Sequence, residues 1–192
     1  MTTIYLLRHG KTDGSGNRIT GYRPGIYLNE EGVQQASLAG KFFESFPIYA
    51  VYSSPLERAI ETAQLVVKNH NLTIQPVEFL KEINFGDYQG KGNELQLDPL
   101  WNKFLTTPTT MRFPNGESVY EAQSRIVEGL HDLCESSPSD AEILCISHCE
   151  VIRLAVSYAL RIPLDEYTRI TIDTGGISKV SWKKRVTKSD IS

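Results

Sequence analysis

Apolar residues fall into short runs and spaced stripes, and the two patterns alternate along the chain. Thr3-Ile4-Tyr5-Leu6-Leu7 is a β-prone run that ends at Arg8-His9. The segment from Gly10 to Gly25 carries Gly14, Gly16, Gly21 and Pro24 and reads as a long loop. Asn29 stands in N-cap position ahead of Val33, Ala36, Gly40 and Phe43, whose three-to-four spacing predicts a helix stopping before Pro47. Ala50-Val51-Tyr52-Ser53 predicts a second strand. Ser54-Pro55-Leu56-Glu57 then carries a helix-start signal, with Ser54 as N-cap, Pro55 at the first helical position and Glu57 completing a capping box. The stripe Leu56, Ala59, Ile60, Ala63, Val67 faces the core, and Arg58 lies off it near the helix start.

Leu72 to Val77 predicts a strand that Pro76 confines to a sheet edge. Residues 84–118 are rich in Gly, Asn, Pro and Thr around a short helix near Leu100 to Leu105, and are expected to cap one end of the sheet. A helix over Val119 to Leu133 follows. Glu142-Ile143-Leu144-Cys145-Ile146-Ser147 suits a buried parallel strand, with His148 at its turn into a helix over Val151 to Leu160. A last strand lies near Gly176 to Trp182, and the closing KKRVTKSDIS is expected to be a solvated tail. Strand-helix alternation without a repeat or linker predicts one domain over 1–192, a three-layer α/β/α sandwich with a mostly parallel central sheet. Ligands of such sheets bind beyond the carboxyl ends of the strands. Arg8-His9, Ser53 with Arg58, and Ser147-His148 all fall there.

Composition narrows the field. The chain of 192 residues is 40% hydrophobic and 22% charged, with a net charge of -3, which argues against nucleic acid as a partner. No apolar run reaches the roughly 20 residues of a membrane span, and the start lacks a leader pattern, so a cytoplasmic protein is expected. Cys134, Cys145 and Cys149 are odd in number and form no C-x-x-C pair, which predicts reduced thiols and no zinc knuckle. Any anion site must be a local cluster of arginines.

LLRHGKT, residues 6–12, offers two chemistries. Its ending mimics a nucleotide-binding loop, but the first glycine of G-x-x-x-x-G-K-[ST] would fall at Tyr5, inside the strand. A cysteine-dependent phosphatase needs an arginine six residues after its thiol, where this chain has Asp140, Val151 and Ala155. The histidines remain. His70 and His131 read as surface or boundary residues, whereas His9 and His148 share one predicted sheet edge with two arginines.

Arg8-His9-Gly10-x-Thr12 after an N-terminal strand resembles the signature of the histidine phosphatase superfamily, the phosphoglycerate mutase-like family. The resemblance extends to Ser54-Pro55-Leu56-x-Arg58-Ala59-x-x-Thr62-Ala63, to Glu82-Ile83-Asn84-Phe85-Gly86-Asp87-Tyr88-x-Gly90, to Gly116-Glu117-Ser118 and to Ser147-His148. It implies a phosphoglycerate mutase-like fold and a phosphohistidine intermediate, with His9 as nucleophile, Arg8, Arg58 and His148 as clamps on the phosphoryl group, and Glu82 as proton donor. A free glutamic acid is protonated to only about one part in 500 at pH 7, so the site must raise its proton affinity. Thr12, Ser15, Asn17, Arg18 and Gly21 are candidate substrate-binding residues, with Arg23 as a further cation in the loop. Two positions depart from the family: its usual asparagine is Ser15 here, with Asn17 nearby, and its usual glycine after the second histidine is Cys149. Mutases of the family are generally longer, so the resemblance favours a phosphomonoesterase acting on a small phosphorylated metabolite. A phosphoglycerate mutase and a non-catalytic phospho-ligand module are the alternatives. Neither metal nor cofactor is implied, and homodimerisation is left open.

Overall fold

The computed structural model describes residues 1–16 and 18–184. Asn17 and most of the basic C-terminal stretch, both singled out above, lie outside the described residues. The chain runs β1 (Thr2–Arg8), α1 (Glu30–Phe43), β2 (Ile48–Ser53), α2 (Glu57–Val66), β3 (Ile74–Pro76), α3 (Pro99–Thr106), α4 (Val119–Ser136), β4 (Glu142–Ser147), α5 (Cys149–Leu160) and β5 (Ile177–Trp182). Five strands form one sheet in the order β3-β2-β4-β1-β5. β1, β2, β3 and β4 are parallel to their neighbours, and β5 closes the edge antiparallel to β1.

The layers follow from strand periodicity, because successive side chains point to opposite faces. Ile4 and Leu6 of β1 enter one buried cluster with Val119, Ile126 and Leu130 of α4 and Val151, Leu154 and Ala155 of α5. Tyr5 and Leu7 enter the other, with Ala39 and Phe43 of α1 and Ala59, Ala63 and Val66 of α2. Both faces are thus covered, which is why β1 and β4 read as unbroken apolar runs. The first cluster continues into Phe85, Phe104 and Phe113 from the segment between β3 and α4. Fully burying each such aromatic contributes about 1.5–3 kcal/mol.

Four local expectations are corrected. Ser54 does not cap α2: the N-cap is Leu56, without a side-chain hydrogen bond, and the Ser54 hydroxyl is used by His148 instead. Glu57 forms no capping box, because its Oε1 accepts from the Gly25 amide at 2.9 Å. Glu61 does the same one turn on, accepting from Leu28 at 2.8 Å, so α2 spends its acidic side chains on tethering the long loop after β1. Val33, expected on the core stripe, is 42% exposed; the helix buries its Gly32, Ala36, Ala39, Phe43 line. Ile60 is likewise only half-buried. Asn29 does cap α1, its side chain accepting from Gly32.

β1 and α1 meet through two glycines. A Cβ on Gly32 would lie 2.1 Å from the Lys11 carbonyl oxygen, and one on Gly10 would lie 2.4 Å from that of Gly32. Both obstacles are backbone, so neither can swing aside. Gly32→Ala pits a helix-propensity gain of up to ~1 kcal/mol against overpacking of about 1–3 kcal/mol. The clash wins, and urea denaturation is expected to show a net loss of stability. A more stable variant would mean that β1 and α1 are not locked at this contact.

Candidate active site

Strand register brings the distant segments together. Arg8 of β1 is level with Ser147 of β4, and Ser53 of β2 with Ile146. The chain beyond each strand stays tied to its neighbour: the His9 amide donates to Ser147 at 3.0 Å and the Ser54 amide to Ile146 at 2.9 Å. His9, Ser54 and His148 therefore emerge side by side at the carboxyl edge, the place where a parallel sheet presents ligands with backbone ends and loops.

His9 is 5% exposed. Its Nδ1 lies 2.7 Å from the Gly10 carbonyl, which can only accept, so Nδ1 carries the proton. Nε2 is then a bare lone pair, receiving the Arg58 Nε–H at 3.3 Å, long for such a bond. Burial, with Arg58 and then Arg8 adding to it against the Gly10 bond, lowers its pKa to about 3. Near neutral pH the ring is an uncharged nitrogen nucleophile with its reactive atom already chosen.

Cations and donors surround it. Arg58 is fully buried, and its Nη2 donates to the Gly21 carbonyl at 2.9 Å. Gly21 holds a left-handed φ of +49°, a conformation that suits glycine. Thr62, on the next turn of α2, receives the Gly10 amide at 3.0 Å and donates to the Arg58 carbonyl at 2.7 Å, linking nucleophile turn and arginine. Arg8 donates through Nη1 to Ile172 at 2.6 Å. The His148 ring centroid is 5.1 Å from that of His9, and its Nε2 is 2.7 Å from the Ser54 hydroxyl. Burial, then Arg58 and His9, push the His148 pKa well down. Three buried atoms of this group have no partner: Arg8 Nε, Arg58 Nη1 and His148 Nδ1.

Glu82 is 7% exposed and among the described residues accepts only from its own neighbour Ile83, at 3.0 Å. Burial, then the Glu150 carboxylate, raise its pKa to about 7, against the pull of the Ile83 amide, Arg58 and Arg8. Its backbone is gripped from α4: Arg125 donates to the carbonyls of Phe79, Lys81 and Glu82 and pairs with Glu117 at 2.7 Å. Glu117 also receives the Asn84 amide at 2.8 Å. The Gly116-Glu117-Ser118 and Glu82-Ile83-Asn84 motifs are thus one brace for the carboxyl group.

Arg8, His9 and Glu82 line a cleft of about 360 Å³ together with Ser15, Arg18 and Gly21. Arg58 and His148 lie beneath its floor rather than on it. Thr12 stays below the loop, its amide donating to the Ser15 hydroxyl at 3.0 Å. Lys11 turns away to pair with Glu31 at 2.6 Å, so the lysine of the segment that mimics a P-loop does not line the cleft. Half-buried Cys149 lines the cleft, its thiol pushed up to about 12 by burial and by Glu150. His70 and His131 are half-buried residues elsewhere. Several residues here escaped the sequence reading: Ser54 as the His148 partner, Thr62, Arg125, the ion pair Glu150–Arg153, and an aromatic wall of Phe85, Trp101 and Phe104. Thr62 and Glu117 stood inside quoted motifs; Glu150 and Arg153 follow His148 at helical spacing but carried no signal of direction. No group of three or more His, Cys, Asp or Glu among the described residues is placed to hold a metal ion, and no helix among them is long and apolar enough to cross a membrane.

Comparison with known proteins agrees with this geometry. The chain is 30% identical over 187 residues to a probable phosphoglycerate mutase of Erwinia tasmaniensis, covering 94% of this chain and 85% of that one. It is 29% identical over 148 residues to the uncharacterized phosphatase PhoE of Bacillus subtilis, covering 77% and 72%. Among solved structures, YhfR of Bacillus stearothermophilus superposes with a TM-score of 0.88 at 28% identity over 95% of this chain and 92% of that one. A phosphoserine phosphatase of Entamoeba histolytica, solved with 3-phosphoglyceric acid, superposes with a TM-score of 0.84 at 29% identity over 93% and 90%. The sequence model of the histidine phosphatase superfamily (branch 1) matches residues 4–190, and the chain belongs to that superfamily, with its phosphoglycerate mutase-like fold.

Proposed function

We propose that the protein is a phosphomonoesterase that hydrolyses a small phosphorylated metabolite through a phosphohistidine on His9. One observation carries this reading: a neutral His9 with its lone pair fixed on Nε2 shares a cleft with a carboxyl group, Glu82, that holds its proton near pH 7. The Nε2 lone pair attacks phosphorus while the ester P–O bond breaks in line. The leaving alkoxide takes the Glu82 proton. Water then attacks the phosphohistidine, gives its proton back to the Glu82 carboxylate, and the P–N bond breaks to regenerate the neutral ring. Arg8 and Arg58 supply positive charge where the phosphoryl oxygens gain it. With the Ser54 hydroxyl donating to Nε2 of His148, the His148 proton sits on Nδ1, the atom without a partner, and is available to the phosphoryl group. Ser15, Arg18 and Gly21 border the path of the organic part; the names of the Entamoeba and Bacillus subtilis relatives support a phosphatase.

His9→Ala is expected to abolish turnover of a generic aryl phosphate such as p-nitrophenyl phosphate. Equal turnover by the variant would remove the phosphohistidine. Replacing the acid, Glu82→Gln should cost about 10² to 10⁴ in kcat. The sign of the pH dependence follows from the two groups: the rate holds while Glu82 is protonated and falls as pH rises through about 7, whereas His9 stays neutral down to about pH 3. A wild-type rate rising steadily from pH 6 to pH 9 would contradict an acid with this proton affinity.

The name of the Erwinia relative favours a second reading, phosphoryl transfer between hydroxyls of phosphoglycerate. With 3-phosphoglycerate as substrate, the proposed phosphatase releases inorganic phosphate or does nothing. Appearance of the 2-isomer without free phosphate would favour the mutase.

A further inference from the structure

The cleft holds two buried carboxylates, and the structure treats them differently. Glu82 has no ion-pair partner among the described residues, its side chain bonding only to the adjacent Ile83 amide. Glu150, two residues past His148 in the first turn of α5, is 9% exposed and is clamped by Arg153, Nη1 to Oε1, at 2.7 Å. Arg153 is itself anchored, its Nε donating to the Ile170 carbonyl at 2.6 Å. The second oxygen, Glu150 Oε2, is buried without a well-formed hydrogen bond, and so is the Tyr167 hydroxyl that lies against this carboxylate. Nothing in the reaction above uses Glu150 or Arg153, although both line the same cleft as Glu82.

We propose that Glu150, locked by Arg153, is a positioning residue whose fixed negative charge keeps the proton on Glu82. This rests on the reading of Glu82 as the acid. Two neighbouring carboxyl groups in a poorly solvated site cannot both ionise cheaply, and the one with a cation takes the charge. The other groups facing Glu82 either pull the opposite way or are neutral. Arg8 at the end of β1 and Arg58 of α2 favour its ionised form. Arg125 of α4 bonds its backbone carbonyl. His9 and His148 are neutral, as are the Cys149 thiol of α5 and the hydroxyls of Tyr22 and Tyr167, all raised by burial. Glu150 is therefore an anion set against these two arginines, and together with desolvation it holds Glu82 in the donor state.

The test needs no turnover. Titrate the protein labelled with ¹³C at glutamate carboxyls, assigning Glu82 by its absence in Glu82→Gln. Glu150→Gln removes the charge while keeping the shape, and should lower the Glu82 midpoint by roughly one pH unit. Arg153→Gln frees Glu150 to compete for the shared proton and should lower it as well, whereas Arg153→Lys keeps the counter-cation and should leave it near the wild-type value. A purely structural role would shift the midpoint the same way in Glu150→Gln and Arg153→Lys, and that result overturns the proposal. So does an unmoved midpoint in Glu150→Gln, or in Arg153→Gln should the first variant not fold. The basic limb of the kcat profile should track the NMR midpoint in every variant. If the NMR midpoints behave as described but the limb persists in Glu82→Gln, the charge coupling stands and the assignment of Glu82 as the acid falls.

Discussion

A fully buried guanidinium with no ion pair among the described residues governs this structure. Arg58 gives one hydrogen bond to the Gly21 carbonyl and a long one to His9, and its Nη1 has no hydrogen-bond partner. Removing such a charge from water is expensive, and neutral acceptors return only part of that cost. The fold must hold it there by force: Ala59, Ala63 and Val66 pin α2 to the sheet, and Thr62 ties its backbone to the turn at Gly10. The consequence is a site short of acceptors. Arg8 Nε, Arg58 Nη1 and, with Ser54 donating, His148 Nδ1 are left as buried donors without an acceptor, and the proposed phosphoryl site rests on them.

The same positive field sorts the protonation states. Under Arg58 and Arg8, burial acts on His9 in the direction of neutrality, because both desolvation and like charge oppose the imidazolium. On Glu82 the two effects oppose one another: desolvation favours the acid and the arginines favour the carboxylate. A histidine in this pocket stays neutral under both effects, whereas a carboxyl keeps its proton only if something offsets the cations. That asymmetry matches the surroundings of the two side chains: one carbonyl orients His9, while Glu82 sits on a loop braced by Arg125 and Glu117.

How far the sequence could be read follows from what kind of signal each part left. Strands and layers were legible because unbroken apolar runs and period-3.6 stripes are cooperative signals, as in Ile4 to Leu7 and in Ala59 and Ala63. His9, Arg58 and His148 were legible as a set through motifs at strand ends, and register brings their segments to one edge of the sheet, whereas Glu82 was legible only through the family resemblance. Ser54 was misread because a serine before a proline and a glutamate satisfies the local rule for a helix start; the competing partner, His148, lies 94 residues away. Glu57 failed for the same reason, its carboxylate taken by Gly25 across the loop. Local rules price local bonds, and at a site where distant strand ends converge the long-range bond wins.

Glu150 and Arg153 illustrate the remaining gap. An acidic residue at the second position of a helix, with an arginine three residues on, is what a solvated first turn would also contain. Only burial separates the two cases. On the surface the pair would be worth little and its charge would be screened. In the lining of a cleft shared with Glu82 its charges are screened much less, with the guanidinium held by the Ile170 carbonyl. The chemistry of such a pair is therefore set by which face of α5 the sheet covers, a property of packing that the spacing of two residues does not encode.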